Sequence, residues 1–190
     1  LYLCSLSART VVYKGMFLAE DLETFYPDLR DTRFVSSFAL YHQRYSTNTF
    51  PEWKLAQPFR VLAHNGEINT LKGNENWMRA HETPLDSPAF GDDIEDLKPI
   101  IQPGSSDTAA LDAVFELLAM GGRSAPMVKT ALIPAAGAGD RLMPQAHKDL
   151  YAYCNTIMEP WDGPAAVAAA FGPWVLGGLD LSLIHISEPT

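Results

Sequence analysis

Two apolar runs near the end of the chain, residues 165–171 and 174–179, are separated only by Gly172-Pro173. Short apolar runs joined by a tight turn that contains glycine are typical of a β-hairpin. The strands of a hairpin are antiparallel neighbours, so this feature predicts an antiparallel sheet. It is the feature of the sequence that constrains the fold most strongly.

The remaining segments predict strands first, then helices, then this hairpin. Residues 9–14, 35–45, 59–64 and 127–133 are rich in apolar and β-forming side chains and predict strands. Residues 69–82, 105–122 and 145–158 have helical spacing, with Leu71, Trp77 and Met78 expected to point inward. Residues 84–103 are acidic, which predicts a segment that lies on the protein surface. This order indicates an α+β fold rather than strict strand–helix alternation.

Bulk properties narrow the classes of function. The 190 residues suffice for one domain, and the net charge of −9 argues against nucleic-acid or anionic-membrane surfaces. No apolar run reaches the roughly 18 residues that a membrane span requires. Two cysteines, Cys4 and Cys154, predict reduced thiols in a cytoplasmic protein, and the scattered histidines predict no metal site.

A first polar segment covers residues 42–49. Arg44 offers a planar fork to a carboxylate, and the hydroxyl of Thr47 adds a donor nearby. Taken alone, the segment is explained as well by a surface-paired arginine in an edge strand.

A second polar segment contains Asn65 and Gly66, directly after a predicted strand. An Asn amide and a Gly N–H can point two donors at one spot, as in an oxyanion hole, where removal of one donor costs roughly 3–4 kcal/mol of barrier. The common alternative is an ordinary Asn-Gly turn.

A third segment places Asp107 at a predicted helix start. Such an acid is usually a cap, although it can also bind an ammonium group. A carboxylate clamp, an oxyanion hole and an ammonium acceptor together match a free α-amino acid with a side-chain acyl group. Glutamine fits that description.

Longer strings carry a resemblance to a known family. The chain resembles the large subunits of glutamate synthases over about residues 1–180. The strings that carry the resemblance lie at residues 5–10, 13–15, 41–51, 62–78 and 158–165. The Asn-Gly-Glu core of the fourth string is shared by class II glutamine amidotransferases in general.

The resemblance implies an N-terminal-nucleophile hydrolase fold, a four-layer αββα sandwich, which we expect to be incomplete at both ends in this chain. It implies hydrolysis of L-glutamine to glutamate and ammonia, with the ammonia aminating 2-oxoglutarate in another domain. No cofactor is expected in this chain. FMN, an iron–sulfur cluster and contacts with an electron-transfer subunit or ferredoxin would belong to other domains of the same polypeptide.

The resemblance also assigns roles to residues. Arg44 and Thr47 match the clamp for the glutamine α-carboxylate, Asn65 and Gly66 match the oxyanion hole, and Asp107 matches the acid that holds the α-ammonium. The family nucleophile is a cysteine with a free α-amine as base. Cys4 is preceded by three residues, so its nitrogen is an amide without basicity, and we do not expect it to be that nucleophile.

The two ends of the chain differ from the sequence between them. The chain begins without Met and without a signal peptide, and we expect its first residue to be a cut edge within a longer protein. Residues 1–180 are expected to form a partial amidotransferase domain. Residues 181–190 depart from the family pattern and are expected not to be native. The loop 134–139 also departs from that pattern.

Two alternatives remain open at this stage. One is another class II amidotransferase, and the other is a non-catalytic glutamine-binding module.

Overall fold

The computed structural model describes residues 3–43, 49–134 and 142–180. Its strands are β1 (Leu62–Gly66), β2 (Ala165–Phe171) and β3 (Trp174–Asp180). Its α-helices are α1 (Leu22–Phe25), α2 (Leu71–Glu82), α3 (Asp107–Met120), α4 (Ala125–Leu132) and α5 (Gln145–Ile157). Short 3₁₀ turns lie at Ala19–Asp21, Pro27–Arg30, Trp53–Leu55 and Gly91–Leu97.

The predicted hairpin is confirmed. Strands β2 and β3 pair antiparallel around a turn in which Gly172 has φ +58°, a conformation that favours glycine. β1 pairs antiparallel with the other edge of β2, which gives the order β1-β2-β3. Helices and an antiparallel sheet together confirm the α+β class.

The sheet has one buried face and one exposed face. Cross-strand partners share a face, so Leu62 and Ala169 point into the core, whereas Ala166 and Leu179 point to the opposite side. The core-facing side packs with the helices in one apolar cluster that includes Leu111, Leu132 and Trp161. On the opposite face Leu179 is 65% exposed.

Three helices arise where the sequence predicts them. Helix α3 lies within the predicted segment, where the Ser106 hydroxyl accepts the N–H of Ala109 at 3.1 Å, and its last turn is capped at Gly121. Helices α2 and α5 match the predicted segments, with Met78 buried. Trp77, however, is 54% exposed, so its predicted inward orientation is wrong.

The strand predicted over residues 127–133 is wrong, since this segment is helix α4. Its start has Ser124 at the N-cap position and Pro126 in the first turn, an arrangement that favours helix initiation. The helix buries Ala125, Val128, Ala131 and Leu132. A seven-residue segment with five apolar residues cannot be assigned to helix or strand by periodicity alone.

The strands predicted near the start of the chain do not form. Residues 9–14 and 35–43 are irregular, and Val11 and Val35 are exposed. Strands are stable only when paired, and within the described ranges no segment pairs with these two.

The acidic segment at residues 84–103 is also more structured than expected. It contains the turn Gly91–Leu97 and buries Ile94 and Ile100. Across the described ranges, no helix is both long and apolar enough to cross a membrane.

Candidate active site

Asn65 and Gly66 are the last two residues of β1, where they lie opposite Ala166 and Ala165. They therefore belong to a strand end rather than to a hairpin turn, and the ordinary Asn-Gly turn is wrong for this segment. Asn65 points to the exposed face of the sheet, on the same side as Ala166.

The backbone N–H of Gly66 points away from β2. Alternate residues of an antiparallel strand direct their backbone groups to opposite sides. His64 exchanges both backbone hydrogen bonds with the side chain of Gln57, whereas Glu67 donates to the Pro164 carbonyl at 3.2 Å. Gly66 lies two residues after His64 and therefore directs its backbone groups to the same side. Its N–H points to the edge of β1 that does not pair with β2.

Gly66 must be glycine for two reasons. Its φ of +118° lies in the region that side chains rarely adopt, and an added Cβ would lie 1.9 Å from the Pro164 carbonyl oxygen. Gly163 meets the same segment from the other side, where its Cβ would lie 1.8 Å from the Glu67 carbonyl oxygen. The segments 65–69 and 162–165 therefore pack backbone against backbone.

Further hydrogen bonds join these two segments. Asn69 donates its N–H to the Asp162 carbonyl at 2.8 Å, and Asp162 donates its own N–H to the Thr70 hydroxyl at 3.0 Å. The buried amide of Asn74 accepts from Thr70 at 2.6 Å and donates to the Pro160 carbonyl at 3.0 Å. The strings at residues 62–78 and 158–165 are thus parts of one structural unit.

Asp107 lies beside this unit. Its Oδ2 accepts the backbone N–H of Ile68 at 3.1 Å, and its Oδ1 accepts the N–H of Thr108 at 2.8 Å. The capping hydroxyl of the helix belongs to Ser106 instead, so the interpretation of Asp107 as the N-cap is wrong. The carboxylate is held close to the segment that follows Asn65 and Gly66.

A second acid of the same helix attaches α3 to the start of β1. Oδ1 of Asp112 accepts the N–H groups of Val61 and Leu62, both at 2.9 Å. Burial of the side chain raises the pKa of Asp112 to about 6, against the opposing effect of these two donors. Because Asp112 binds the chain at the start of β1 and Asp107 binds it two residues beyond the end of β1, the helix start and the strand end have a fixed separation.

The two cysteines differ in environment. Cys154 lies in α5 and is fully buried, as predicted for a core residue, and burial raises the pKa of its thiol. Cys4 is half-buried near the start of the chain. Arg44 and Thr47, the two residues of the predicted carboxylate clamp, lie outside the described residues.

Four polar residues that the sequence did not single out support this site. Gln57, His64, Thr108 and Asp112 form its hydrogen-bonded framework. The signal is present in the sequence, because His64 follows the apolar residues 61–63 and Asp112 interrupts the apolar residues 110–114. A polar residue in such a position must find a partner inside the protein.

Comparison with known proteins adds an independent finding. Residues 1–182 match the profile of the family described as class II glutamine amidotransferases. The chain is 64% identical over 179 residues to the glutamate synthase (NADPH) large chain of Azospirillum brasilense, which covers 94% of this chain and 12% of that protein.

Two further relatives carry other electron donors in their names. The chain is 48% identical over 181 residues to the ferredoxin-dependent glutamate synthase of Pyropia yezoensis, which is 94% of this chain and 12% of that protein. It is 47% identical over 180 residues to the glutamate synthase (NADH) of Saccharomyces cerevisiae, again 94% of this chain but 8% of that protein. The chain thus spans between 8% and 12% of the length of these relatives.

Proposed function

Because the chain belongs to the class II glutamine amidotransferases, we propose that it is the glutamine-hydrolysing part of a glutamate synthase. In this role it would take L-glutamine and release glutamate and ammonia. The observation that supports this most directly is the hydrogen bond from Ile68 to Asp107, because it places an acid beside the strand end that carries Asn65 and Gly66.

We assign the oxyanion hole to Asn65 and Gly66. The Asn65 amide and the Gly66 N–H would donate to the side-chain carbonyl oxygen of glutamine as it gains negative charge. The direction of the Gly66 N–H, away from β2, supports this role. Preorganised donors of this kind reduce the cost of forming the charged intermediate because they need not move during the reaction.

The amino-acid end of glutamine would bind at two further groups. Asp107 would accept hydrogen bonds from the α-ammonium, and Arg44 with Thr47 would bind the α-carboxylate. The Asp107 carboxylate is half-buried and already oriented by two backbone donors, so little ordering is required when the ligand binds.

The nucleophile of the reaction is not assigned to either cysteine of this chain. A cysteine whose own α-amine serves as base must be the first residue of its chain. Cys4 has a peptide nitrogen and Cys154 is enclosed in the core, so neither has that chemistry. We therefore propose that the complete protein supplies the nucleophile and that the present chain is inactive alone.

The complete protein would couple this reaction to a synthase. We propose that ammonia passes to other domains of the same polypeptide, which aminate 2-oxoglutarate with the help of FMN and an iron–sulfur cluster. Relatives of similar identity are named for NADH and for ferredoxin, so the amidotransferase sequence alone leaves the donor open. A cytoplasmic location is part of the same proposal.

The same family membership leads us to propose the four-layer αββα arrangement for the complete domain. The exposed sheet face, which carries the 56% exposed Val175 and the 65% exposed Leu179, suits coverage by a second sheet. Residues 1–180 would form the domain, and residues 181–190 would not be native.

The function is tested with Asp107→Asn in the full-length protein. We expect the KM for glutamine to rise about 10- to 100-fold, as for loss of one charge-assisted hydrogen bond, with ammonia-dependent glutamate formation unchanged. The matched control is Asp93→Asn, which removes an exposed acid in the turn Gly91–Leu97. An unchanged KM for glutamine in Asp107→Asn would contradict the assignment.

The clamp has its own test in Arg44→Lys, which keeps the charge but removes the bidentate fork. We expect a large rise in the KM for glutamine with ammonia-dependent synthesis spared. Unaltered use of glutamine would remove Arg44 from the site while leaving Asp107 to be judged separately.

A further inference from the structure

We propose that His64 is a positioning residue of the glutaminase site, which orients the Asp107 carboxylate through the hydroxyl of Thr108. This inference rests on the proposed function, since it assumes that Asp107 binds the substrate ammonium. It concerns a histidine that sequence reasoning did not assign to the site.

The three residues form a short chain of polar contacts. The His64 side chain is 2% exposed, and its Nδ1 lies 2.9 Å from Oγ1 of the buried Thr108. Oγ1 of Thr108 lies 3.4 Å from Oδ1 of Asp107, the same oxygen that accepts the Thr108 N–H at 2.8 Å. His64 is therefore linked through one hydroxyl to the acid at the start of helix α3.

Gln57 fixes the direction of the hydrogen bonds at this hydroxyl. Its Oε1 accepts the backbone N–H of His64 at 2.7 Å, and its Nε2 donates to the His64 carbonyl at 2.8 Å, so the orientation of the amide is set by the backbone. The same Nε2 lies 3.4 Å from Oγ1 of Thr108 and can only donate to it. One lone pair of the hydroxyl oxygen is therefore directed at Gln57.

The environment of Nε2 indicates which ring nitrogen of His64 carries the proton. Nε2 is buried and has no hydrogen-bond partner within residues 3–43, 49–134 and 142–180. A buried N–H without an acceptor is rarer and more costly than an unused acceptor. The proton is accordingly placed on Nδ1, which donates to Thr108, and the Thr108 hydroxyl proton is left to point at Asp107.

The charge state of His64 fits this arrangement. Burial lowers the pKa of His64, and His42 lowers it further while Asp107 opposes both effects. The imidazole is thus neutral at pH 7 and has one donor, which is the form that the contact with Thr108 requires. The ring serves as an uncharged support for the carboxylate and does not compete with the substrate ammonium for it.

The experiment is a double-mutant cycle in the full-length protein, with the KM for glutamine as the readout. We expect Thr108→Val, which removes the hydroxyl but keeps the shape, to raise the KM for glutamine about tenfold, with kcat and ammonia-dependent synthesis nearly unchanged. We expect Thr108→Ser to restore the KM to within about threefold of wild type. His64→Leu should act like Thr108→Val.

The combined variant His64→Leu/Thr108→Val should have about the same KM as either single variant, because both changes break the same link. The proposal would be overturned if the increases in KM of the two single variants multiplied in the double variant. It would also be overturned if Thr108→Ser had as high a KM as Thr108→Val. A wild-type protein without glutaminase activity would instead overturn the proposed function. The two failures are therefore distinguishable.

A second pair of variants decides the question if Thr108→Val does not fold. His64→Asn places an amide nitrogen near the position of Nδ1, whereas His64→Gln places its amide near the position of Nε2. We expect the KM for glutamine to stay within about threefold of wild type for His64→Asn and to rise about tenfold for His64→Gln. Equal KM values for these two variants would overturn the positioning role.

Discussion

The Asp107 carboxylate accepts the backbone N–H of Ile68 at 3.1 Å, across 39 residues of sequence. This contact joins the start of helix α3 to the chain three residues beyond Asn65. It holds the acid in one orientation relative to the strand end, and Asp112 secures the same helix to residues 61 and 62. The separation between the proposed ammonium acceptor and the proposed oxyanion hole is therefore built into the packing of α3 on β1.

Gly66→Ala should damage both the fold and the glutaminase activity of the full-length protein. The added methyl group would lie 1.9 Å from the Pro164 carbonyl oxygen, in a backbone conformation that alanine rarely adopts. We expect a loss of more than about 2 kcal/mol of unfolding free energy, measured by urea denaturation.

Gly73→Ala is the matched control for that substitution. Gly73 lies in helix α2 with open space where an added Cβ would lie, so alanine should stabilise the helix by roughly 0.5–1 kcal/mol. A Gly66→Ala variant as stable as wild type would show that the two backbone segments are not packed as described.

Asp112→Asn should change how stability depends on pH. The folded-state pKa of Asp112 is raised to about 6, so its stabilising contribution is greatest below the unfolded value near 4 and is lost as pH rises through 6. The whole change is on the order of 3 kcal/mol. Asparagine does not titrate, so the unfolding free energy of the variant relative to wild type should increase between pH 4.5 and 7.

Urea unfolding of both proteins at the two pH values measures this difference, with exposed Asp93→Asn as the control. A constant difference between wild type and Asp112→Asn across that range would mean that Asp112 is not a buried acid in the folded protein.

Lys14→Met tests a second buried charge. Lys14 is 2% exposed, donates from Nζ to the Lys54 carbonyl at 3.0 Å, and lies 4.4 Å from the centre of the Phe59 ring. Desolvation lowers the pKa of Lys14 to about 8, so the cost of its charge is fully present below pH 8 and is relieved as pH rises towards 10.5. The stability of the variant relative to wild type should be highest at pH 7 and should decline by pH 10.

Thermal unfolding of both proteins at pH 7 and pH 10 measures this change. A relative stability that increased with pH would show that the ammonium group of Lys14 is not desolvated in the folded state.

The 190-residue chain alone should release no ammonia from glutamine, because neither Cys4 nor Cys154 has a free α-amine. A coupled glutamate dehydrogenase assay for ammonia measures this directly. Activity that Cys4→Ser abolished would show that the nucleophile had been assigned wrongly.

Local signals predicted much of the framework. The hairpin and helices α2, α3 and α5 depend on turn chemistry, caps and periodicity within a few residues. The strand prediction for segment 127–133 is wrong because short runs rich in apolar residues do not distinguish a strand from a helix, although the buried residues Ala125, Val128 and Ala131 recur at helical spacing. The segments 9–14 and 35–43 formed no strand because pairing depends on distant partners, which local propensity does not report.

The sequence indicates the residue types of the candidate site rather than their contacts. The polar segments around Asn65 and Asp107 stood out because such groups are unusual next to apolar strands and helices. Their connection through Ile68, and the support from Gln57, His64 and Thr108, depends on how α3 packs against β1. That packing joins residues about 40 to 50 positions apart, which a linear pattern cannot show.

The most direct test is the crystal structure of the full-length protein with its product L-glutamate bound. We expect the α-ammonium to lie within about 3.2 Å of the Asp107 carboxylate. We also expect the side-chain carboxylate of the glutamate to lie at similar distances from the Asn65 amide and the Gly66 N–H. A ligand whose ammonium binds elsewhere, with Asp107 left facing only Ile68 and Thr108, would contradict the proposed site.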